Sequence, residues 1–257
     1  GYGVALRVDN PILSDINVRR ALMIGTDIKA FQDLLGLSGI DIPVNWWPIY
    51  IGNRELYIPL EQLPTESKKL FEYNPTLAKQ MLKDAGYPNG FRLEYEISSR
   101  ETDQGELLVD QWSKLGVEVV LNVRDDVTHS AFIKDMRHTD MANADIELAD
   151  PVILLFRKAS TGSLQNTAAY SSPEMDEIIA KIAGEIDVEK KNSMLVEPHL
   201  TLLNEACYIP TQCTVLGFAW WPWIKNYYGE TNVQDNNPYP LWAHMWIDQD
   251  LKKEMGY

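Results

Sequence analysis

The stretch that decides the fold runs from Tyr73 to Phe91 and reads YNPTLAKQMLKDAGYPNGF. Asn74 can accept hydrogen bonds from the free amides of a first helical turn, and Pro75 fits the first helical position because no donor is needed there. Gly86 can take the left-handed conformation that ends a helix. The predicted helix has an apolar stripe that should lie against a core. Its members are Leu77, Ala78, Met81, Leu82 and Ala85.

A strand, a helix and a second strand follow. Pro88-Asn89-Gly90 forms a tight turn into FRLEYEIS (91–98), where apolar and charged residues alternate as they do in a half-buried strand. The next segment, ETDQGELLVDQWSKLGVEVVLNV (101–123), reads as a helix that ends at Gly116 and a second alternating strand. This order predicts a βαβ unit with two neighbouring parallel strands.

These segments resemble the family 5 extracellular solute-binding proteins, the oligopeptide-, dipeptide- and nickel-binding receptors of ABC importers. The family motif YdPekAkeLLkeAGYPnGF matches Tyr73, Asn74-Pro75, Ala78-Lys79, Met81-Leu82 and residues 85–91. NPILSDINVRRALMIGTDIKAF (10–31) resembles a second family segment, with Ser14 or Asp15 as the helix cap. Arg19 and Arg20 in that helix are interpreted as held by neighbouring carboxylates, with ligand contact as the alternative.

The resemblance implies an α/β fold of the type II periplasmic-binding-protein class, specifically its C-terminal lobe with βαβ units and a mixed sheet. Residues 1–213 would form the ligand-binding lobe (lobe III). Residues 214–257 would form an aromatic segment and a strand, YPLWAHMWID (239–248), that returns toward an absent first lobe. Family members are considerably longer, so the chain is interpreted as a fragment.

The implied function is that of a solute-binding receptor, which captures a peptide or other small solute by closure of two lobes. The expected partners are that solute, an ABC permease in the membrane and the N-terminal lobe of the same protein. The resemblance implies a periplasmic or extracellular location, with any membrane anchor in a missing N-terminus. The alternative is a sensor or chaperone adaptor that reuses the solute-binding fold.

Acidic residues near a predicted strand end are the first candidate ligand contacts. In DMANADIELADPVILLF (140–156), the family pattern W-x-x-D-x-x-(D/E)-P places Glu147 at the position that pairs with a ligand's α-amino group and Asp150 at the second acidic position. Ala144 replaces the family's tryptophan, which removes the cue for peptides but leaves an acidic group that can bind a cation. Alternatively, Asp150 caps a helix that begins at Pro151 and Glu147 is solvated.

An irregular, proline-rich segment, residues 36–70, supplies the other candidates. Its aromatic side chains Trp46, Trp47 and Tyr50 suit a loop that lines a binding surface. The alternative is that the tryptophans attach this loop to the core.

Composition excludes several classes of function. The chain has 257 residues, 45% of them hydrophobic, and a formal net charge of -14, so we predict no nucleic-acid partner. The four histidines form no i, i+4 pair, and we predict no metal and no cofactor. No apolar run approaches the roughly 20 residues that span a bilayer.

The remaining expectations concern the C-terminal half. Cys207 and Cys213 lie in a predicted extended segment, which favours two buried thiols over a disulfide formed across a bend at Pro210. Cys207 with His199 is the one possible nucleophile–base pair, and without a nucleophile elbow, a phosphate loop or HExxH we predict no enzyme. Pro198 should kink or end the helix that begins at Asp187.

An exposed aromatic patch is expected if the first lobe is absent. It comprises Trp220, Trp221, Trp223, Tyr227 and Tyr228.

Overall fold

The structure, a computed structural model, describes residues 2–36, 48–49, 56–145, 150–211, 219–229 and 239–257. The chain divides into two compact units, Gly1–Cys213 and Thr214–Tyr257. The roles assigned to the two parts from the sequence stay predictions.

The first unit alternates helices and strands along the chain. Its elements are β1 (Tyr2–Leu6), α1 (Ile16–Ile24), α2 (Ile28–Leu34), α3 (Thr65–Lys69), α4 (Pro75–Asp84), β2 (Phe91–Ser98), α5 (Thr102–Ser113), β3 (Val117–Arg124), α6 (Asp126–Lys134), β4 (Met141–Asp145), α7 (Pro151–Ala159), α8 (Pro173–Gly184), α9 (Val188–Asn204) and β5 (Tyr208–Pro210). Short 3-10 helices lie at Leu60–Gln62 and Ser99–Glu101.

The five strands form one mixed sheet in the order β3-β2-β4-β1-β5. β2 is parallel to both β3 and β4, whereas β1 is antiparallel to β4 and β5. The predicted βαβ unit and mixed sheet are therefore confirmed. Because β2, β3 and β4 run in the same direction, their carboxyl ends meet at one edge of the sheet.

Helix α4 begins and ends as the sequence predicts. The side chain of Asn74 accepts a hydrogen bond from the amide of Leu77 at 2.9 Å, and Gly86 has a φ of 98°. Ala78 and Leu82 are buried, but Leu77 is 43% exposed, so the predicted apolar stripe is wrong at that position. The buried face is narrow because α4 packs mainly against a single helix, α1.

The two arginines of α1 connect this helix to the end of α9. The guanidinium of Arg19 lies 2.6 Å from the carboxylate of Glu205 and also donates to the backbone carbonyls of Glu205, Leu13 and Ser14. Arg20 donates to the carbonyl of Asn204 at 2.8 Å. The last carbonyls of a helix lack partners within it and attract cations. The carboxylate partner expected from the sequence is thus confirmed for Arg19, whereas Arg20 bonds to a carbonyl.

Helix α9 continues past Pro198, which contradicts an end at that residue. Proline removes one backbone hydrogen-bond donor from the helix, and the burial of neighbouring residues in the core offsets this loss. Pro198, His199 and Leu202 are all buried, and Nδ1 of His199 lies 2.6 Å from the carbonyl oxygen of Leu195. His199 is a packed core residue, as expected from the sequence.

Burial of His199 predicts a loss of stability in acid. Burial lowers its pKa to about 4, because the charged ring would lose its hydration; the Leu195 carbonyl opposes this effect. The unfolded chain takes up a proton near pH 6.5 and the folded chain does not, so stability is complete above that pH and falls toward pH 4. The expected loss is about 3 kcal/mol in the free energy of unfolding.

Urea denaturation at neutral pH and near pH 4 would measure this loss. His199→Gln should flatten the acid dependence, whereas His244→Gln, at an exposed position in the second unit, should leave it unchanged. An equally steep dependence in His199→Gln would contradict the assignment.

The second unit is small and rich in aromatic residues. Its elements are β6 (Ile224–Lys225), α10 (Tyr239–Trp242), β7 (Trp246–Ile247) and α11 (Gln249–Glu254). The predicted continuous strand over 239–248 is wrong, because only β7 pairs, with β6. Pro240 suits the first turn of a helix, and the helix α10 ends at Trp242.

The expected exposed aromatic patch is reduced. Trp220, Trp221 and Tyr228 are exposed, but Trp223 is only 5% exposed and stacks on Trp221 with ring centroids 4.6 Å apart. In both units, no helix within the described ranges is long and apolar enough to cross a membrane.

Candidate functional site

A cleft of about 390 Å³ opens in the first unit, at the carboxyl edge of the parallel strands. Ser98 ends β2, Asn143 and Ala144 lie near the end of β4, and Asp126 and His129 belong to α6. Ligands of open α/β sheets bind outside the carboxyl ends of the strands, and small-molecule sites measure roughly 300–1,000 Å³. The position and size of the cleft are therefore those of a site for a small solute.

Ion pairs and hydrogen bonds fix one wall of the cleft. The carboxylate of Asp126, at the start of α6, accepts from the hydroxyl of Ser98 and pairs with the guanidinium of Arg100. Asp125 caps the same helix by accepting from the amides of Val127 and Thr128 at 3.1 and 3.0 Å. These contacts hold α6 against the end of β2.

A second polar network lies next to this wall. Glu96, 6% exposed on β2, accepts from Nε of Arg124 at 2.7 Å and from the side-chain amide of Asn122 at 3.0 Å. Nε2 of His129 lies 3.3 Å from the carbonyl oxygen of Glu96. The guanidinium of Arg124 also lies 4.0 Å from the ring centroid of Phe132. The network therefore ties β2, β3 and α6 together.

The third group, Tyr95, Asn143 and Glu101, is buried beside the cleft. Burial raises the pKa of Tyr95, the negative charge of Glu101 adds to this effect, and a hydrogen bond with Asn143 opposes it. Glu101 is 9% exposed, and no donor in the described parts of the chain reaches its buried Oε2. Gln104, one turn further along α5, also has a buried oxygen without such a partner. Because buried polar atoms nearly always have partners, these two stand out.

The structure describes only one of the five ligand-binding candidates from the sequence. Glu147, Trp46, Trp47 and Tyr50 lie outside the described residues. Asp150 is exposed and caps α7, because its carboxylate accepts from the amides of Val152 at 2.8 Å and Ile153 at 3.3 Å. This is the alternative that the sequence left open for Asp150.

Sequence reasoning missed Ser98, Glu101 and Asn143 as cleft residues. Asn143 is distant in sequence from Ser98 and Glu101, and none of the three belongs to a motif for binding. The available signal was positional, because Ser98 ends one strand of the βαβ unit and Glu101 immediately precedes the helix α5. Among the described residues, no group of three or more His, Cys, Asp or Glu side chains is arranged to hold a metal ion.

A mixed sheet with a solute-sized cleft at the carboxyl ends of its parallel strands fits a protein that binds a small solute. Residues 1–147 match the bacterial extracellular solute-binding proteins, family 5, in the region described as their middle part. This match covers more than half of the 257 residues, and the chain belongs to that family. The resemblance found in the sequence is confirmed.

Relatives of known binding specificity cover most of this chain. Heme-binding protein A of Haemophilus influenzae is 25% identical over 84% of the chain, which spans 39% of that protein. The periplasmic oligopeptide-binding protein OppA of Escherichia coli is 26% identical over 89% of the chain, which spans 42% of it. The chain thus spans about two fifths of the length of these relatives.

A solved structure shows the same fold. The ABC transporter-associated periplasmic binding protein DppA of Helicobacter pylori, in complex with the peptide STSA, superimposes with a TM-score of 0.67 and 22% identity. The superposition covers 82% of this chain and 40% of that one. The predicted type II fold is therefore confirmed.

Proposed function

We propose that this chain is the C-terminal lobe of a solute-binding receptor that serves an ABC importer. The observation that best supports this proposal is the cleft at the carboxyl ends of β2 and β4, in a chain that belongs to family 5. Because the chain spans about two fifths of its relatives, an N-terminal lobe of the same protein would supply the opposite wall. The proposed location is periplasmic or extracellular.

The proposed mechanism is capture by closure of two lobes. Solute bound to the open cleft selects the closed arrangement, because only there can both lobes contact it, and hinge closure of this kind is well established for binding proteins. Closure also removes water from the polar groups in the cleft, which strengthens their interaction with the solute. The closed receptor would then deliver the solute to the permease in the membrane.

The proposed solute is a peptide or another small molecule that carries a positive group. The relatives named above bind haem, oligopeptides and the peptide STSA, so the fold accepts several classes. We propose Glu147 as the contact for a ligand's ammonium group, with Trp46, Trp47 and Tyr50 on the binding surface. Asp150 would act with Glu147 through the part of its carboxylate that capping leaves available.

A binding role without catalysis also fits the pKa values of Cys207 and His199, the nucleophile–base pair considered from the sequence. Burial raises the pKa of the Cys207 thiol to about 12 and lowers that of His199 to about 4. A cysteine nucleophile needs a thiolate, commonly beside an imidazolium, and burial of both groups favours the opposite protonation states.

Native mass spectrometry of the full-length protein would test the proposal. Purified protein should carry a small molecule that adds a discrete mass and is released on denaturation. Glu147→Gln should reduce the occupied fraction markedly if the retained solute is cationic, because the charge-assisted hydrogen bond is lost. The control is Glu189→Gln, which changes an exposed acidic residue in the first turn of α9. Protein that retains nothing and binds no solute from a broad panel of peptides and cationic metabolites would overturn the proposal.

A further inference from the structure

We propose that Glu101 is a second residue that selects positively charged solutes, and that its carboxylate binds an ammonium or guanidinium group. This inference rests on the proposed function, because it assigns a residue to the same cleft. Glu101 lies in the cleft wall at the end of the short 3-10 helix, Ser99–Glu101, that connects β2 to α5.

Its carboxylate is buried, and one of its two oxygens has no hydrogen-bond donor among the residues that the structure describes. Glu101 is 9% exposed, and the oxygen without a described donor is Oε2. Glu101 is also the residue that precedes the first turn of α5, yet its side chain makes no capping hydrogen bond. A fully structural glutamate at this place would be expected to cap the helix or to pair with a cation.

The other charged groups that line the described part of the cleft interact with protein groups or are exposed to solvent. Asp126 pairs with Arg100 and accepts from Ser98. The ammonium of the buried Lys158 lies 5.8 Å from the ring centroid of Tyr208, and Lys134 is exposed to solvent. Among the carboxylates that line the cleft, Glu101 is thus the one whose interaction has to come from outside the described residues.

A cation is the ligand that fits this carboxylate. An ionised carboxylate only accepts hydrogen bonds, and the strongest donors for it are ammonium and guanidinium groups. The N-terminus of the twelve-residue helix α5 favours a negative charge beside it. A buried charge without a partner costs stability, so the unliganded protein should be less stable than one with a neutral side chain here.

Thermal unfolding of the full-length protein tests both the binding of a cation and the stability cost of the unpaired carboxylate. Glu101→Gln should raise the unliganded Tm by about 2 °C, because a neutral amide is easier to bury than an unpaired carboxylate. Millimolar n-butylamine, a bare alkylammonium at neutral pH, should raise the Tm of the wild type, whereas n-butanol should not. The ammonium effect should disappear in Glu101→Gln.

The matched control is Glu118→Gln. Glu118 is an exposed carboxylate near the opposite, amino end of β3, so this variant should keep the wild-type response to butylamine. A lower unliganded Tm in Glu101→Gln would show that the carboxylate holds the fold together and would overturn the proposal. An equal butylamine response in Glu101→Gln and the wild type would do the same.

Peptide affinities separate this inference from the proposed function. Tripeptides of alanine with lysine at each position in turn would be compared with their norleucine counterparts by calorimetry. We expect one lysine peptide to bind the wild type at least about 10-fold more tightly than its counterpart, and Glu101→Gln to lose this ratio. Binding without any lysine preference would overturn the role of Glu101 and leave peptide capture intact. No peptide binding, together with the predicted butylamine response, would overturn peptide capture and leave Glu101 as a cation site.

Discussion

Replacing Gly90 with alanine is expected to lower the free energy of unfolding by about 3–4 kcal/mol, because the new methyl group has no space. Gly90 has a φ of 75°, and a Cβ there would lie 1.7 Å from the carbonyl oxygen of Gly116 and 2.5 Å from its carbonyl carbon. Gly90 precedes β2 and Gly116 precedes β3, so the two turns touch where the parallel strands begin. The close approach therefore sets the start of the βαβ unit.

Gly162 provides a matched control. Its φ is 76°, almost the same as that of Gly90, but a Cβ there would meet nothing within 4 Å. Gly162→Ala should cost only about 1 kcal/mol, from the left-handed conformation alone. Urea denaturation followed by circular dichroism would measure both variants. If they lose the same stability, the contact between the two turns does not constrain the fold.

Replacing Arg19 with methionine is the second change with a large expected effect. It should lower the free energy of unfolding by about 3 kcal/mol. The guanidinium is 3% exposed and has four acceptors: the carbonyls of Leu13 and Ser14, and the carbonyl and carboxylate of Glu205. Methionine leaves the carbonyls without their donor. The Glu205 side chain is 29% exposed and can be rehydrated, which keeps the loss below that of a fully buried pair.

Lys29→Met is the control for loss of a positive charge. Lys29 pairs with Asp33 at 3.1 Å, but the two side chains are 72% and 43% exposed, so the change should cost less than about 0.5 kcal/mol. The same denaturation measurement applies. If Arg19→Met and Lys29→Met destabilise the protein equally, Arg19 does not connect α1 to α9 as described.

Local signals in the sequence predict the local structure well. The alternation over 91–98 matches β2 at both ends, and Asn74 caps α4 as expected. Ser172, directly before α8, caps that helix by the same kind of local contact. These elements are encoded by residues within a few positions of each other, so their capping and periodicity can be read without tertiary contacts.

Tertiary contacts decide what the sequence did not show. Pro198 is accommodated within α9, where Pro198 itself, His199 and Leu202 are buried in the core. The short helix α10 and strand β7 replaced a predicted strand, because Pro240 suits the first turn of a helix, a signal that the alternation of apolar residues concealed. The cleft combines residues from β2, β4 and α6, and their meeting depends on strand order, which periodicity does not encode. Glu101 could not be found from the sequence. Its distinguishing property is a buried Oε2 without a donor among the described residues, and this is visible only in three dimensions.

A crystal structure of the full-length protein with its retained solute tests the central claim most directly. The proposed function, with the role of Glu101, predicts a solute enclosed between two lobes, in contact with the carboxyl ends of β2 and β4, with a positive group within hydrogen-bond distance of Glu101. A solute bound elsewhere on the chain, away from the ends of these strands, would contradict it.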